Sequence, residues 1–186
     1  MTAHPLAQAL VEYLRETPGA RVLEFASGRG RNTEALRAAG LIAVAIDDPT
    51  AASPFPFAGI EGSFAGALST HGLLHGSRET VSSNLHAIVG LLEPGAWLCA
   101  TFGSVRDARF GIGSRVDAFS YAPEDGDERG VAHAFFDRVD LRAALERGFE
   151  IRSMHEGDAG GTAGQWAHPE RPLSDAIHWF VTATAK

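Results

Sequence analysis

The residues that could do chemistry gather around one short stretch. Arg21–Asn32 reads "RVLEFASGRGRN", with Glu24 just before a turn of small residues, Gly28 and Gly30 inside it, and Asp47 following Glu24 by 23 residues. A glycine turn between a strand and a helix lets backbone approach a ligand, and the helix beyond it aims free N–H groups at whatever sits there. A dinucleotide fingerprint would read G-x-G-x-x-G, with its first glycine directly after the strand and a third packing helix on strand; this chain does not match it. A P-loop is excluded, because no G-K-S/T follows the turn. The carboxylate of Glu24 would repel a phosphate and attract a cation. S-adenosylmethionine carries no phosphate and presents a sulfonium and an ammonium. A carboxylate at Asp47, ending the second strand, can accept hydrogen bonds from two ribose hydroxyls. Together these residues describe an adenosyl site.

Further candidates lie downstream. Ser69 and Thr70 end a strand and open the loop "THGLLHG", which holds His71 and His75; His133 lies in "GVAHAFF". Histidines are suited to general-base work near neutral pH, and His71 and His133 are the candidates for it, against the alternative that each is structural. Asn32 reads equally as a helix N-cap or a ligand contact. No convergent set of metal ligands is expected, and the acidic run "PEDGDER" reads as a solvated loop. Cys99, the one cysteine, lies in the apolar run "AWLCATF" and reads as a core thiol, with no intramolecular disulfide open to it.

The elements that must position these residues alternate. An amphipathic helix carrying Leu6, Leu10, Tyr13 and Leu14 follows Pro5. A strand over 21–25, a helix over 32–39 stopped by Gly40 and a strand over 41–47 form a βαβ unit. The segment 48–62, "DPTAASPFPFAGIEG", is too rich in Pro, Ala and Gly for regular structure. A strand over 63–69 comes next, then a helix with its stripe at Val81, Leu85, Ile88 and Leu92, then a strand over 96–102. Residues 103–130 read as a long loop with one short helix at most, of the kind that forms lids. Asp137 caps a helix over 138–147, and strands over 149–155 and 176–185 close the chain around an irregular 156–174. Such alternation argues for one α/β domain, a doubly wound parallel sheet with ligands at the carboxyl ends of its strands.

Bulk properties narrow the partners. The chain has 186 residues, 45% hydrophobic and 21% charged, and a formal net charge of −7, with no basic cluster. A nucleic-acid backbone and an anionic membrane are both disfavoured, which leaves a small-molecule substrate. With no basic-then-apolar start and no long apolar run, a cytoplasmic protein is expected, as monomer or homodimer.

At this level the sequence resembles the class I S-adenosylmethionine-dependent methyltransferases over nearly its whole length. "VLEFASGRGRNTEAL" is similar to their first motif, an acidic residue followed by G-x-G-x-G, with Ala26 in place of the first glycine. "AVAIDD" is similar to the second-strand motif, while "FAGALSTHGLLHG" and "LLEPGAWLCATFGS" are similar to the fourth- and fifth-strand motifs of small-molecule members. "GRN" and "GVAHAFFDRVDLRAALERGFEI" look most like the tellurite-resistance-type group. The resemblance implies a Rossmann-like, mostly parallel sheet with an antiparallel C-terminal strand. It implies cofactor contacts from Glu24, Ala26, Ser27, Gly28, Gly30 and Asn32, a ribose contact from Asp47, and Ser69 and Thr70 beside the methionine moiety. It also places the His133 segment over the substrate pocket. The span between the second strand and the fourth is less than half the usual length. One edge helix, one edge strand and the acidic loop that usually meets the adenine are therefore missing. Phe55 and Phe57 then either cover the base or plug the exposed sheet edge. The alternative to an active enzyme is a methyltransferase fold that binds a nucleoside or a partner subunit without catalysis.

Overall fold

The computed structural model describes residues 2–46, 57–126, 128–160 and 175–186. Asp47, Asp48 and Phe55 lie outside the described residues.

Helix α1 spans Pro5–Tyr13, with proline in its first turn, where a missing N–H costs nothing. Strand β1, Arg21–Phe25, runs into α2, Arg31–Ala38, and then β2, Ile42–Ile46. Strand β3, Phe64–Ser69, is followed by a single 3-10 turn, Gly72–Leu74, and by α3, Arg78–Leu91, whose N-cap Ser77 accepts a hydrogen bond from Thr80 N. Strand β4, Leu92–Ser104, is the longest; then come β5, Ser114–Asp117, β6, Ser120–Ala122, and β7, His133–Phe136. Helix α4, Arg138–Leu145, β8, Phe149–Asp158, and β9, Ile177–Ala185, complete the described chain.

Strands β2, β1, β3 and β4 pair in parallel in that order, β9 joins β4 antiparallel, and β8 joins β9 antiparallel. Among the described residues β2 pairs only with β1. Helices cover both faces. Leu6, Leu10, Leu14 and Leu36 from α1 and α2 pack with Val22, Leu68 and Cys99, while Val81, Leu85, Ile88, Leu141 and Leu145 from α3 and α4 pack with Leu23, Phe25 and Leu98. Val22 and Leu23, adjacent in β1, therefore serve opposite cores, as the two-residue period of a strand requires.

Several expectations are corrected. Leu92 is not the last residue of a helical stripe; it opens β4 and pairs with Phe64 of β3. Residues 103–130 are not a plain loop, because β5 and β6 form an antiparallel pair there and β6 continues onto β7. Strand β7 pairs with Gly103 and Ser104 beyond the end of β3, so this small antiparallel unit stands over the carboxyl ends of the main sheet. Gly103 allows the approach: a Cβ there would lie 2.6 Å from the Ala134 carbonyl oxygen. Arg78 fastens the unit to the helices. Its Nε donates to Phe135 O at 2.7 Å, its guanidinium lies over Phe119 and Phe136, and it pairs with Asp140 of α4.

Phe57 stacks on Phe25 with centroids 5.2 Å apart and packs against the α3/α4 core. Arg21 of β1 reaches across to Glu61 O at 2.9 Å, which ties down the end of the short span. Ile42 of β2 remains 53% exposed.

Candidate functional site

The site is built where β1, β3 and β4 end. After Phe25 the chain turns through Ala26 at φ 62°, Gly28 at φ 54° and Gly30 at φ 76°. Ser27 N donates to Ile46 O at 3.1 Å, which holds the turn against the end of β2. Gly30 caps α2 without a side-chain hydrogen bond, and Glu34 N donates to Gly30 O at 2.9 Å to close the first turn. Ala26, which stands in place of the motif's first glycine, sits in the left-handed region at a cost of about 1–2 kcal/mol relative to glycine. Its methyl faces Gly72, where a Cβ would come within 2.4 Å of it.

Glu24 is 2% exposed and accepts a hydrogen bond from Thr33 Oγ1 in the first turn of α2. Burial pushes its carboxyl above the ordinary range, while Thr33, Asn32, Arg37 and Arg31 partly offset that push. Asn32 is not the N-cap, since it lies inside α2; its Oδ1 accepts from His4 N at 2.9 Å and its Nδ2 donates to Thr70 Oγ1 at 3.0 Å. One side chain thus ties the start of α1 to the loop after β3. Ser69 Oγ is buried with no hydrogen-bond partner, a hydroxyl available to a bound ligand.

His71 has φ 69° and its N–H donates to Thr101 Oγ1 of β4 at 2.8 Å, so the loop is held in a strained conformation over the strand ends. Its ring lies 4.8 Å from that of His178 and 6.4 Å from that of His4. Burial holds His71 well below the usual histidine range, with the neighbouring histidines adding to the shift. It is neutral at pH 7, with Nε2 lacking a partner. His178 is fixed by a part-buried ion pair: Arg109 grips the buried Asp107 with two hydrogen bonds of 2.8 and 2.9 Å and approaches His178 Nε2 at 2.9 Å. Guanidinium only donates, so Nε2 accepts and the neutral ring carries its proton on Nδ1. Burial and then Arg109 push His178 down to about 3. His4 caps α1 by accepting from Leu6 N at 3.1 Å, stacks on Phe180, and is pushed by burial to about 4.

His133, 2% exposed, is placed differently from His71. It joins His75 and Glu128, with His133 Nε2 3.0 Å and His75 Nε2 3.3 Å from the Glu128 carboxylate. Burial works against that carboxylate, but the two imidazoles outweigh it and hold Glu128 well below the carboxylate range. The expectation of no convergent metal ligands is thereby corrected: these three residues bring ligand atoms within 4.8 Å of one another. His71 and His75 have H-x-x-x-H spacing, but their rings join separate clusters, so that spacing does not mark this one. His4, His178, Asp107 and Arg109 gave weaker signals. His178 looks like any residue of the last strand, and its partners lie about 70 positions earlier.

A cavity of about 380 Å³ between α3 and α4, lined by Ser82, His86, Val89, Ala144 and Arg147, contains none of these candidates.

No family model matches the chain, and no curated protein matches it in sequence. Solved structures do match in fold. A SAM-dependent methyltransferase from Methanosarcina mazei superposes with a TM-score of 0.70 at 14% identity over 99% of this chain and 98% of that one. The 1,6-didemethyltoxoflavin-N1-methyltransferase of Burkholderia thailandensis, solved with 1,6-didemethyltoxoflavin and S-adenosylhomocysteine, superposes with a TM-score of 0.64 at 18% identity, over 98% and 79%. TehB from Haemophilus influenzae gives a TM-score of 0.61 at 14% identity, over 96% and 62%. The fold is that of the class I methyltransferases, a mostly parallel sheet with antiparallel strands β8 and β9. No helix among the described residues is long and apolar enough to cross a membrane.

Proposed function

We propose that this chain transfers the methyl group of S-adenosylmethionine to a small-molecule acceptor. The observation that carries the reading is Glu24, an acid buried at the end of β1 against the first turn of α2, in a fold shared with methyltransferases. A buried carboxylate whose charge is disfavoured gains from a cationic ligand, and this is the wrong charge for a phosphate. Residues Ala26, Ser27, Gly28 and Gly30 would shape the backbone around the cofactor, Ser69 and Thr70 would meet its methionine part, and Asp47 would hold the ribose. Asn32 acts mainly as the brace between these loops.

Bound S-adenosylmethionine supplies an already activated methyl on its sulfonium. The protein's share is to orient the acceptor and exclude water. The β5–β6–β7 unit over the strand ends would form one wall of an acceptor pocket, and α1 with His4 another. His71, neutral and with an unpartnered ring nitrogen, is placed to take a proton from a hydroxyl acceptor. His133 would act through its cluster with His75 and Glu128. A net charge of −7 supports a small acceptor over a nucleic acid. The buried Cys99 thiol, pushed up to about 12 by burial, needs no oxidising compartment and suits the cytoplasm.

The test compares Asp47→Ala with Asp48→Ala in melting experiments with S-adenosylhomocysteine. At about 100 times its dissociation constant the ligand stabilises the wild type by about 2.7 kcal/mol. Asp47→Ala should lose most of that shift and Asp48→Ala should keep it. Equal effects would place the ribose elsewhere. Binding without turnover of any acceptor would favour a non-catalytic nucleoside-binding role.

A further inference from the structure

We propose that His75, Glu128 and His133 form a zinc site with three protein ligands and one open position. The backbone holds these residues together before any ion arrives. His75 and His133 face each other across an antiparallel β-bridge, and Gly76 N donates to Ala132 O at 2.7 Å beside it. Glu128 sits in a tight turn, with Val131 N donating to Glu128 O at 2.9 Å and Gly130 N to Pro123 O at 2.8 Å. The three ligands therefore come from two short segments locked to each other, a rigid support of the kind metal sites need.

The donor chemistry fits zinc. His133 Nδ1 lies 2.9 Å from the Val131 carbonyl, which only accepts, so the proton is on Nδ1 and Nε2 is presented to Glu128. A backbone carbonyl orienting a ring in this way is the usual support behind a ligating histidine. Four ligands placed tetrahedrally at zinc–nitrogen and zinc–oxygen bond lengths stand about 3.3 Å from one another. Here Glu128 is 3.3 Å from His75 Nε2 and 3.0 Å from His133 Nε2, and all the ligand atoms lie within 4.8 Å. Rotation of the rings that closes the widest of these separations, at most 4.8 Å, to about 3.3 Å gives a bound geometry. Two imidazoles and one carboxylate match known catalytic zinc sites, whereas calcium and magnesium prefer oxygen ligands throughout. The Glu128 side chain is 25% exposed and that of His75 14%, so an ion has a way in. The fourth position is left for water or an anionic oxygen. The proposal stands whether or not the chain transfers methyl groups.

Titration of the chelator-treated full chain with zinc chloride in a calorimeter tests it. One equivalent should bind, and Glu128→Gln and His75→Asn should each weaken binding by about 100-fold or more, since even supporting residues account for 10–100-fold. His86→Asn, on the exposed side of α3, should leave it unchanged. Cobalt(II) in place of zinc should give the intense visible bands of a four-coordinate site, lost in Glu128→Gln. Far-UV circular dichroism checks that the variants fold; if they do not, the cobalt spectrum of the wild type still decides. No zinc binding by the wild type, a wild-type cobalt spectrum without those bands, or binding that survives Glu128→Gln would each overturn the site and leave protons to bridge the three side chains.

Discussion

Replacing Glu24 by glutamine separates a functional acid from a structural one. Glu24 is 2% exposed, and burial raises its carboxyl above the ordinary range. An acid whose folded pKa is raised binds more protons folded than unfolded, so its ionisation costs stability as pH climbs past the unfolded value of about 4.3. Glutamine keeps an oxygen for the Thr33 hydroxyl and removes the charge. Urea unfolding at pH 7.5 should therefore show the ligand-free variant at least as stable as the wild type, with that advantage gone at pH 4. Binding should move the other way. A hydrogen bond between charged groups contributes about 1.5–3 kcal/mol, so the affinity for S-adenosylhomocysteine, whose ammonium remains, should fall by about 10- to 150-fold. Calorimetry and the unfolding curves together decide. Unchanged affinity, or stability lost in step with affinity, would show that Glu24 only supports the turn.

Three other outcomes follow from the geometry. Ala26→Gly relieves a left-handed alanine at about 1–2 kcal/mol but adds about 0.5–1 kcal/mol of unfolded-chain entropy, so a net gain of about 0.5–1 kcal/mol is expected in urea melts. A loss would mean that the Ala26 methyl against Gly72 matters more than its φ. His4 is neutral when folded and titrates only near 4, so stability should fall as pH drops from about 6.5 towards 4, by about 1.4 kcal/mol per pH unit for each such histidine. His4→Asn keeps an N-cap acceptor and should flatten that slope; an unchanged slope would exclude His4 as a source. Asp107→Ala leaves the Arg109 guanidinium and His178 without their buried partner and should cost about 3–5 kcal/mol in melting experiments. A cost under 1 kcal/mol would show that solvent already screens the pair.

What could be read from the sequence was local. The Glu24 turn and the βαβ unit each sit in a few consecutive residues whose types state their conformation. Alanine at position 26 gives no sign of a positive φ, because only its packing on Gly72 and the pull of the end of β2 on Ser27 force it there. The β5–β6–β7 unit was hidden for a different reason. Its strands are four, three and four residues long, and "HAFF" is buried on both faces, so no alternation marks it. The histidine clusters are products of topology: β9 returns His178 to Arg109, and one β-bridge brings His133 to His75. No spacing along the chain encodes either meeting.

The cofactor claim is tested most directly by calorimetric titration of the purified wild-type chain with S-adenosylhomocysteine and, separately, with NAD. A single site of micromolar affinity for the homocysteine nucleoside and no measurable heat with NAD is the expected result. No binding of S-adenosylhomocysteine, or tighter binding of NAD, would contradict the assignment of Glu24 and the glycine turn to a phosphate-free, cationic cofactor.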